Sequence, residues 1–286
     1  MPSIPFQALA CPLDGQPLAL VENNTWCCAA GHSFDIARQG YVNLLPVQQK
    51  RSQDPGDSKA MVAARQRFLQ AGHYQPLAEA IGRHLAVQAN KSIDVDSFSC
   101  LDAGCGEGYY LRQLASRVPT DLALIGLDIS KWAVLAAARQ DDKQAPGSRW
   151  VVGTNAHLPV QPATLDAVLC MFGFPVYGEF ARVLKTGGVL LQAEAGPQHL
   201  RELREVIYPQ LKPERTPTQQ APEGFALLGE ETLSYPVRLE GQEAIADLLT
   251  MTPHLYRASA EGRARAAALE HLALTVDVRL IQWRRC

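Results

Sequence analysis

The sequence predicts an α/β fold with a Rossmann-like sheet, and three observations support this prediction. An apolar, strand-like run at residues 98–101 leads into a glycine-rich turn and then into a pattern with helical spacing. A second apolar run, residues 122–127, ends at Asp128, about 20 residues beyond the turn, which is the spacing of a nucleotide-binding βαβ unit. Strand-like and helical patterns then alternate along the rest of the chain, as in a sheet covered by helices.

The glycine-rich turn at residues 102–110 is the feature around which the chain is organised. Gly104, Gly106 and Gly108 lack the Cβ atom that would stop the backbone from turning tightly and approaching a ligand. The helix that begins at Tyr109, with helical spacing as far as Val118, points its free N–H groups at the same place. The turn therefore predicts a binding site for a small molecule.

Acidic residues favour one class of ligand at this turn. Asp102 and Glu107 suit cationic amino and sulfonium groups, and they oppose the pyrophosphate that a dinucleotide-binding fold with similar glycine spacing would hold. Asp128 is placed to hold a ribose diol. The motifs resemble the first two of the class I S-adenosylmethionine-dependent methyltransferases, although a glycine turn with two helix-capping acids is the simpler alternative. The resemblance implies that S-adenosylmethionine contacts Asp102, Gly104, Gly106, Glu107, Gly108 and Asp128.

Length and composition leave room for one large α/β domain and a small module, since the 286 residues are 47% hydrophobic. The net charge of −2 neither demands nor excludes a nucleic acid partner. No apolar run approaches the length of a membrane span and no secretion signal is evident, so we expect a cytoplasmic protein without a membrane partner. Seven cysteines argue for thiols or metal ligands rather than a disulfide scaffold.

Residues 1–45 differ in composition from the rest and predict a zinc-ribbon-like module for RNA recognition. Cys11, Cys28 and His32 lie on two short loops separated by a hairpin, and soft ligands at this spacing can converge on a tetrahedral metal. The metal would stabilise a segment that has little core of its own. Asp14 stands where a standard knuckle has its fourth ligand, and Cys27 competes with it. The alternative is that the cysteines are free and pack as small hydrophobic side chains.

Residues 46–90 predict a basic linker and the helices that lead into the sheet. The cations of residues 36–72 could neutralise RNA phosphates or form a solvated face. They are Arg38, Lys50, Arg51, Lys59, Arg65 and Arg67. Residues 54–57 predict a turn whose last acid, Asp57, caps a helix over residues 61–69. An amphipathic helix over residues 74–90 follows and packs against the sheet.

Several of these segments together resemble the bacterial 23S rRNA (guanine-N1)-methyltransferases. The likeness spans residues 11–283 and rests on the motifs at residues 34–35, 40–45, 51, 54–58, 72–74 and 104–110. The proteobacterial type, which modifies a 23S rRNA hairpin near the peptide exit tunnel, is the nearer match. The resemblance implies 23S rRNA as partner and zinc as metal, with the ligands Cys11, Asp14, Cys28 and His32. Asp14 departs from the family pattern, which bears on metal affinity rather than on methyl transfer.

The resemblance also implies further cofactor contacts, at Tyr74 and His199. Class I methyltransferases contact the adenine from the loop after the third strand, where this chain has Asn155 and Ala156. The usual residue there is an aspartate, and the amide oxygen of Asn155 can accept the same hydrogen bond without charge. The tyrosine could equally be a core aromatic, and the histidine a capping group.

Residues 91–286 are predicted to form the methyltransferase domain. The expected strands after Asp128 are residues 149–152, 165–172, 189–192, 233–239 and 275–283, and the expected helices are residues 132–137, 179–184, 242–249 and 258–272. Residues 185–188 are predicted to form a turn, and residues 209–224 are predicted to form a surface loop. The last run suits an antiparallel strand inserted into the sheet, so the class implies a seven-stranded mixed sheet.

The proton acceptor cannot be named from the sequence. N1 of guanine carries a proton at neutral pH, so the enzyme must remove it as the methyl group arrives. Asp54 and Asp57 are candidates because they lie on the linker, although each could simply belong to a capped turn. Phe172 and Phe174 follow the fourth strand of the domain and could stack on a purine or pack in the core.

Two other functions stay open. A small-molecule methyltransferase of the quinone or cyclopropane-lipid kind would share the cofactor domain, but it would not need a metal module with a basic linker. An RNA-binding module with an inactive methyltransferase domain would keep the linker, and the intact glycines and Asp128 speak against it. The sequence also leaves open whether the chain forms a homodimer.

Overall fold

Among the residues that the structure describes, an eight-stranded mixed sheet flanked by helices follows a small three-stranded sheet. The structure is a computed structural model, and it describes residues 5–50, 52–90, 97–117, 121–141, 147–211 and 220–286. Arg51, Val118 and residues 212–219 of the predicted surface loop lie outside the described residues.

The small N-terminal sheet is antiparallel and consists of β1 (Ala19–Val21), β2 (Thr25–Cys27) and β3 (Ser33–Asp35). Trp26 in the middle strand is 1% exposed and shares an apolar cluster with residues of the large domain. Leu9 forms a β-bridge to Val160, which belongs to that domain. The small sheet is therefore packed onto the large domain through a common core.

The large sheet positions the site. Its strands are β4 (Tyr41–Asn43), β5 (Phe98–Ala103), β6 (Leu122–Asp128), β7 (Ser148–Val152), β8 (Leu165–Met171), β9 (Leu184–Ala195), β10 (Phe225–Glu240) and β11 (His271–Arg285). Their order is β10-β11-β9-β8-β5-β6-β7-β4, and β11 pairs antiparallel with both of its neighbours. Every residue of the central β5 is buried, as expected for a parallel strand that is covered on both faces.

The prediction of seven strands is wrong by one strand. The eighth strand is β4, which pairs in parallel with β7, so that Tyr41 lies opposite Trp150 and Asn43 opposite Val152. This pairing satisfies backbone groups that β7 would otherwise expose as an edge strand. Because the two segments are far apart in sequence, no local pattern indicates that they meet.

The described helices pack mostly on one face of the large sheet, while residues 177–183 lie with the N-terminal module on the other face. The helices are α1 (Lys59–Gln70), α2 (Gln75–Ala89), α3 (Tyr109–Ala115), α4 (Lys131–Gln140), α5 (Tyr177–Val183), α6 (Arg201–Ile207), α7 (Gln242–Thr250), α8 (His254–Arg257) and α9 (Ala260–Ala267). No described helix combines the length and the apolar character that crossing a membrane requires.

Three local predictions need correction. The cap of α1 is Ser58, whose Oγ accepts a hydrogen bond from the backbone N–H of Met61 at 3.3 Å, and this leaves Asp57 free for other contacts. The helix predicted over residues 258–272 ends at Ala267, because the hairpin with β10 already begins at His271. The turn predicted at residues 185–188 lies within β9.

Candidate functional site

The glycine turn joins β5 to α3 at the carboxyl end of the sheet. Gly104, Gly106 and Gly108 all have positive φ angles, of 98°, 56° and 83°. A Cβ atom at Gly108 would lie 2.5 Å from the indole of Trp150, so a larger residue there would collide with the sheet. The backbone N–H of Gly106 donates to Oδ2 of Asp128 at 2.9 Å, which ties the turn to the end of β6.

Asp102 is a buried acid at the base of this turn. It is 0% exposed, and neither of its carboxylate oxygens finds a hydrogen-bond partner in the described part of the chain. Burial, and then the nearby charge of Asp128, raise the pKa of Asp102 to about 8. A buried carboxylate without partners is costly, and a cationic ligand would supply the missing interaction. The ammonium group of an amino acid cofactor fits this requirement.

Asp128 and Asn155 present oxygens at the neighbouring strand ends. Asp128 is half-buried, and its Oδ1 accepts from the backbone N–H of Ser130 at 2.8 Å, which fixes the orientation of the carboxylate. Asn155 donates through Nδ2 to the carbonyl oxygen of Ala103 at 3.3 Å. The Oδ1 of Asn155 is buried and has no partner among the described residues. Ala156, next in the chain, is exposed. The side chains of Asp128 and Asn155 thus offer hydrogen-bond acceptors to a ligand at the strand ends.

Glu107 is arranged differently from Asp102. Its Oε2 accepts from Nη2 of Arg112 at 2.5 Å and from Nε2 of Gln140 at 2.7 Å. These two partners lie on α3 and α4, and both also reach the backbone carbonyl oxygen of Glu107. The side chain therefore holds the turn against two helices, while its Oε1 is buried without a partner among the described residues.

Tyr74, His199 and Phe172 form an aromatic cluster that long-range packing assembles. The hydroxyl oxygen of Tyr74 lies 3.3 Å from Nε2 of His199, and both residues are buried. The ring of Phe172 stacks on His199 with centroids 5.4 Å apart and an interplanar angle of 30°. Phe172 has a φ of 55°, a strained value for this residue type. A Cβ at the following Gly173 would lie 3.7 Å from the carbonyl oxygen of Ala103, so the cluster stands beside the glycine turn.

The linker lies beside the glycine turn. Ser130 donates its hydroxyl to the backbone carbonyl oxygen of Asp57 at 2.6 Å. The carboxylate of Asp57 pairs with Nη1 of Arg65 at 2.5 Å, and the other arm of Arg65 donates to the carbonyl oxygen of Met251 at 3.0 Å. A Cβ at Gly106 would lie 3.4 Å from Arg65, so this guanidinium lies against the glycine turn. The sequence offers no local signal for this role of Arg65.

Asp54 contacts a different side chain. Its Oδ2 accepts a hydrogen bond from Nε1 of Trp132 at 2.6 Å, on the first turn of α4. The two candidate proton acceptors therefore differ in their surroundings, since Asp57 faces the guanidinium beside the glycine turn and Asp54 faces an indole.

A second constellation lies in the N-terminal module. The donor atoms of Cys11, Asp14, Cys28 and His32 all lie within 4.8 Å of one another. Nδ1 of His32 is 3.5 Å from Sγ of Cys11 and 3.1 Å from Oδ2 of Asp14. Zinc bonds of 2.0–2.3 Å in a tetrahedron place neighbouring donors roughly 3.3–3.8 Å apart, so small shifts of these side chains would bring two sulfurs, one nitrogen and one oxygen onto the ion. Cys27 is not part of this group.

Comparison with known families matches both parts of the chain. Residues 9–53 match the N-terminal zinc ribbon of the RlmA family, and residues 100–188 match a methyltransferase domain. The fold, the residues at the glycine turn and these matches define the protein as an S-adenosylmethionine-dependent methyltransferase with a zinc ribbon.

Relatives along nearly the whole chain identify the particular family. A 23S rRNA (guanine(748)-N(1))-methyltransferase of Streptomyces fradiae is 33% identical over 265 residues, which cover 91% of this chain and 90% of that protein. A protein of Micromonospora griseorubida that is provisionally named a 23S rRNA (guanine-N(1)-)-methyltransferase is 33% identical to this chain. The match covers 96% of this chain and 97% of that protein. The chain belongs to the 23S rRNA (guanine-N1)-methyltransferase family.

A partial match concerns the small-molecule alternative. A malonyl-[acyl-carrier protein] O-methyltransferase of Dechloromonas aromatica is 32% identical over 157 residues, which cover 52% of this chain and 56% of that protein. The likeness to a methyltransferase with a different acceptor is therefore confined to about half of the chain.

Proposed function

We propose that the protein transfers a methyl group from S-adenosylmethionine to N1 of a guanine in a 23S rRNA hairpin near the peptide exit tunnel. The observation that carries the proposal is Asp102 at the end of β5, which is buried without a partner among the described residues, beside a glycine turn. Relatives that match this chain over nearly its full length, and carry this activity in their names, support the choice of acceptor.

The carboxyl ends of the strands would hold the cofactor. In this proposal Asp102 binds the ammonium group, Asp128 the ribose diol, and the loop of Asn155 and Ala156 the adenine, while Gly104, Gly106 and Gly108 allow close approach of the backbone. Tyr74 and His199, which cluster with Phe172 beside the turn, would also contact the cofactor. Glu107 keeps the turn in place through Arg112 and Gln140.

S-adenosylmethionine supplies an electrophilic methyl group whose transfer leaves the neutral thioether. Guanine N1 forms the new bond to carbon, and the N1 proton must leave to a protein group or to water. We propose Asp57 as the acceptor of this proton, because it lies against Ser130 and Arg65 beside the glycine turn. Asp54 instead holds Trp132. The target base must be flipped out or unpaired, because its Watson–Crick edge is hidden in a duplex.

The N-terminal module would serve RNA recognition. We propose that residues 1–45 form this module, residues 46–90 the linker and residues 91–286 the catalytic domain. Zinc would be held by Cys11, Asp14, Cys28 and His32, and it would stabilise the loops on either side of the small sheet. The linker would then present RNA to the proposed cofactor site.

The test is mass mapping of methylated nucleosides in ribosomal RNA from cells with and without the gene. We expect one 1-methylguanosine in 23S rRNA to disappear with the gene, and the purified protein to restore it on the unmodified RNA. An unchanged methylation map would reject the assigned acceptor. The remaining alternative is an RNA-binding module with an inactive methyltransferase domain. Calorimetry tests it, because such a module would show no affinity for S-adenosylmethionine.

A further inference from the structure

We propose that the side chain of Trp132 and the cations around it form a binding groove for single-stranded RNA that flanks the target guanine. The inference rests on the proposed function and assigns it a specific surface. We call this surface the Trp132 groove, and it consists of Lys50, Gln53, Lys59, Lys131, Trp132 and Arg139.

Two cavities meet at the indole of Trp132. One, of about 410 Å³, is lined by Lys50, Gln53 and Lys131 over an apolar floor that includes Ile129. The other, of about 320 Å³, is lined by Lys59 and Arg139 among others, and Trp132 borders it as well. The tryptophan thus separates two neighbouring cavities, each of a size that suits part of a nucleotide.

The charge of the groove differs from that of the whole chain. The net charge of the chain is −2, yet the walls of the two cavities bring together Lys50, Lys59, Lys131 and Arg139. In the described part of the chain none of these four makes an ion pair, and Lys59 instead places Nζ 3.9 Å from the centroid of the Trp132 ring. The one carboxylate on the cavity walls is Asp54, whose Oδ2 is engaged by Trp132. Such a surface attracts polyanions.

The indole is held as a rigid platform. Its Nε1 is anchored by Asp54 at 2.6 Å, and the backbone of Trp132 lies in the first turn of α4, which Ser130 caps. A half-exposed aromatic ring held in this way loses little entropy when a base stacks on it. An aromatic ring among unpaired cations is the arrangement by which proteins bind single-stranded nucleic acid.

The position of the groove fits RNA that also reaches the cofactor. Ile129 lines the larger cavity and directly follows Asp128, the residue proposed to hold the ribose of the cofactor. Val152 and Asn43, at the carboxyl ends of β7 and β4, line the same cavity. The groove therefore lies along the same edge of the sheet as the proposed cofactor site, and residues of the linker line it.

The test measures binding of a fluorescein-labelled oligoadenylate and of an unmodified 23S rRNA transcript. Trp132→Ala is expected to weaken oligoadenylate binding by about tenfold, and Trp132→Phe to retain most of the affinity because a stacking ring remains. Lys50→Gln with Lys131→Gln is expected to lower the slope of log affinity against log salt by about 2. The matched control is Arg238→Gln, an exposed cation on β10 at the opposite edge of the sheet, which should leave binding unchanged.

The affinity for S-adenosylmethionine and the Tm show whether a variant has lost its fold, and methylation by the wild-type protein tests the proposed function independently. Affinity for S-adenosylmethionine and the Tm should stay at wild-type values in the Trp132 variants. The proposed groove is overturned if Trp132→Ala binds RNA as tightly as wild type, or if Arg238→Gln loses as much affinity as Trp132→Ala. Methylation by the wild-type protein would still uphold the proposed function in either case. Crosslinking of wild-type protein to 4-thiouridine RNA should mark the peptide that contains Trp132, and crosslinks confined to other peptides would also overturn the proposal.

Discussion

The backbone N–H of Asp277 donates to Nδ1 of His199 across 3.3 Å. Burial lowers the pKa of His199 to about 4, so at pH 7 the ring is neutral and its single proton resides on Nε2. Nε2 lies 3.3 Å from the hydroxyl oxygen of Tyr74 and donates to it. The hydroxyl proton of Tyr74 is consequently free to donate to a ligand in the proposed cofactor site.

Tyr74→Phe should therefore weaken binding of S-adenosylmethionine by about tenfold, because one hydrogen bond to the ligand is lost. Calorimetry measures the change. The matched control is Tyr208→Phe, since Tyr208 also pairs with a histidine, His254, at 2.8 Å, but between α6 and α8. An affinity of Tyr74→Phe equal to that of the control would contradict the role of this hydroxyl.

Asp102→Asn should stabilise the unliganded protein at neutral and alkaline pH while removing cofactor binding. The pKa of Asp102 is about 8 in the folded protein, well above its ordinary value of 3.8, so folding favours the protonated form. A raised folded-state pKa contributes stability below pH 4 that is lost as pH rises through about 8. An amide avoids this loss, because it carries no charge at any of these pH values.

Thermal unfolding of Asp102→Asn and wild type at several pH values checks this prediction. We expect nearly equal Tm values near pH 4, and a Tm higher in the variant by at least about 4 °C at pH 8.5. Calorimetry of the same samples should show no binding of S-adenosylmethionine to the variant. A Tm difference that does not depend on pH would contradict the burial of this carboxylate without a partner among the described residues.

Asp57→Asn tests the proposed proton acceptor. We expect kcat on 23S rRNA to fall by about 100-fold or more, with the affinity for S-adenosylmethionine little changed, because the amide cannot take up the N1 proton. Asp54→Asn should keep kcat and raise KM for RNA, since Asp54 holds Trp132.

Arg65→Gln separates chemistry from positioning at Asp57. The variant removes the ion pair with Asp57 and leaves its carboxylate in place. If Asp57 served only to hold the linker, Arg65→Gln and Asp57→Asn would lower kcat equally. We expect instead that Asp57→Asn lowers kcat far more than Arg65→Gln, because only Asp57→Asn removes the group that takes up the N1 proton.

Asp14→Cys should slow the release of zinc to a chelator, because a thiolate is a softer ligand for the ion than a carboxylate. Asp14→Ala should speed the release, since three protein ligands remain. The chromogenic reagent 4-(2-pyridylazo)resorcinol reports the released ion. Cys27→Ser is the matched control, and zinc release from it should equal that of wild type. Faster release from Cys27→Ser than from Asp14→Ala would assign the fourth ligand to Cys27 instead.

Local patterns in the sequence were sufficient where neighbours in the chain decide the structure. The strand, glycine turn and helix at residues 98–110 and the capping of α4 by Ser130 follow from residue types at short spacing. The family, the methyltransferase fold and the zinc ribbon also followed from motifs of this kind and are confirmed. The assigned ligands of the cofactor and the metal stay predictions.

Tertiary structure decided what depends on segments far apart in the chain. Pairing of β4 with β7 added the eighth strand, and Asp277 set the proton of His199 through a contact across 78 positions. Asp102 and Glu107 look alike in sequence, yet packing left Asp102 without a partner among the described residues and joined Glu107 to Gln140 of α4. The physical reason is that burial and long-range hydrogen bonds, which fix charge and tautomer, exist only once distant strands and helices have packed together.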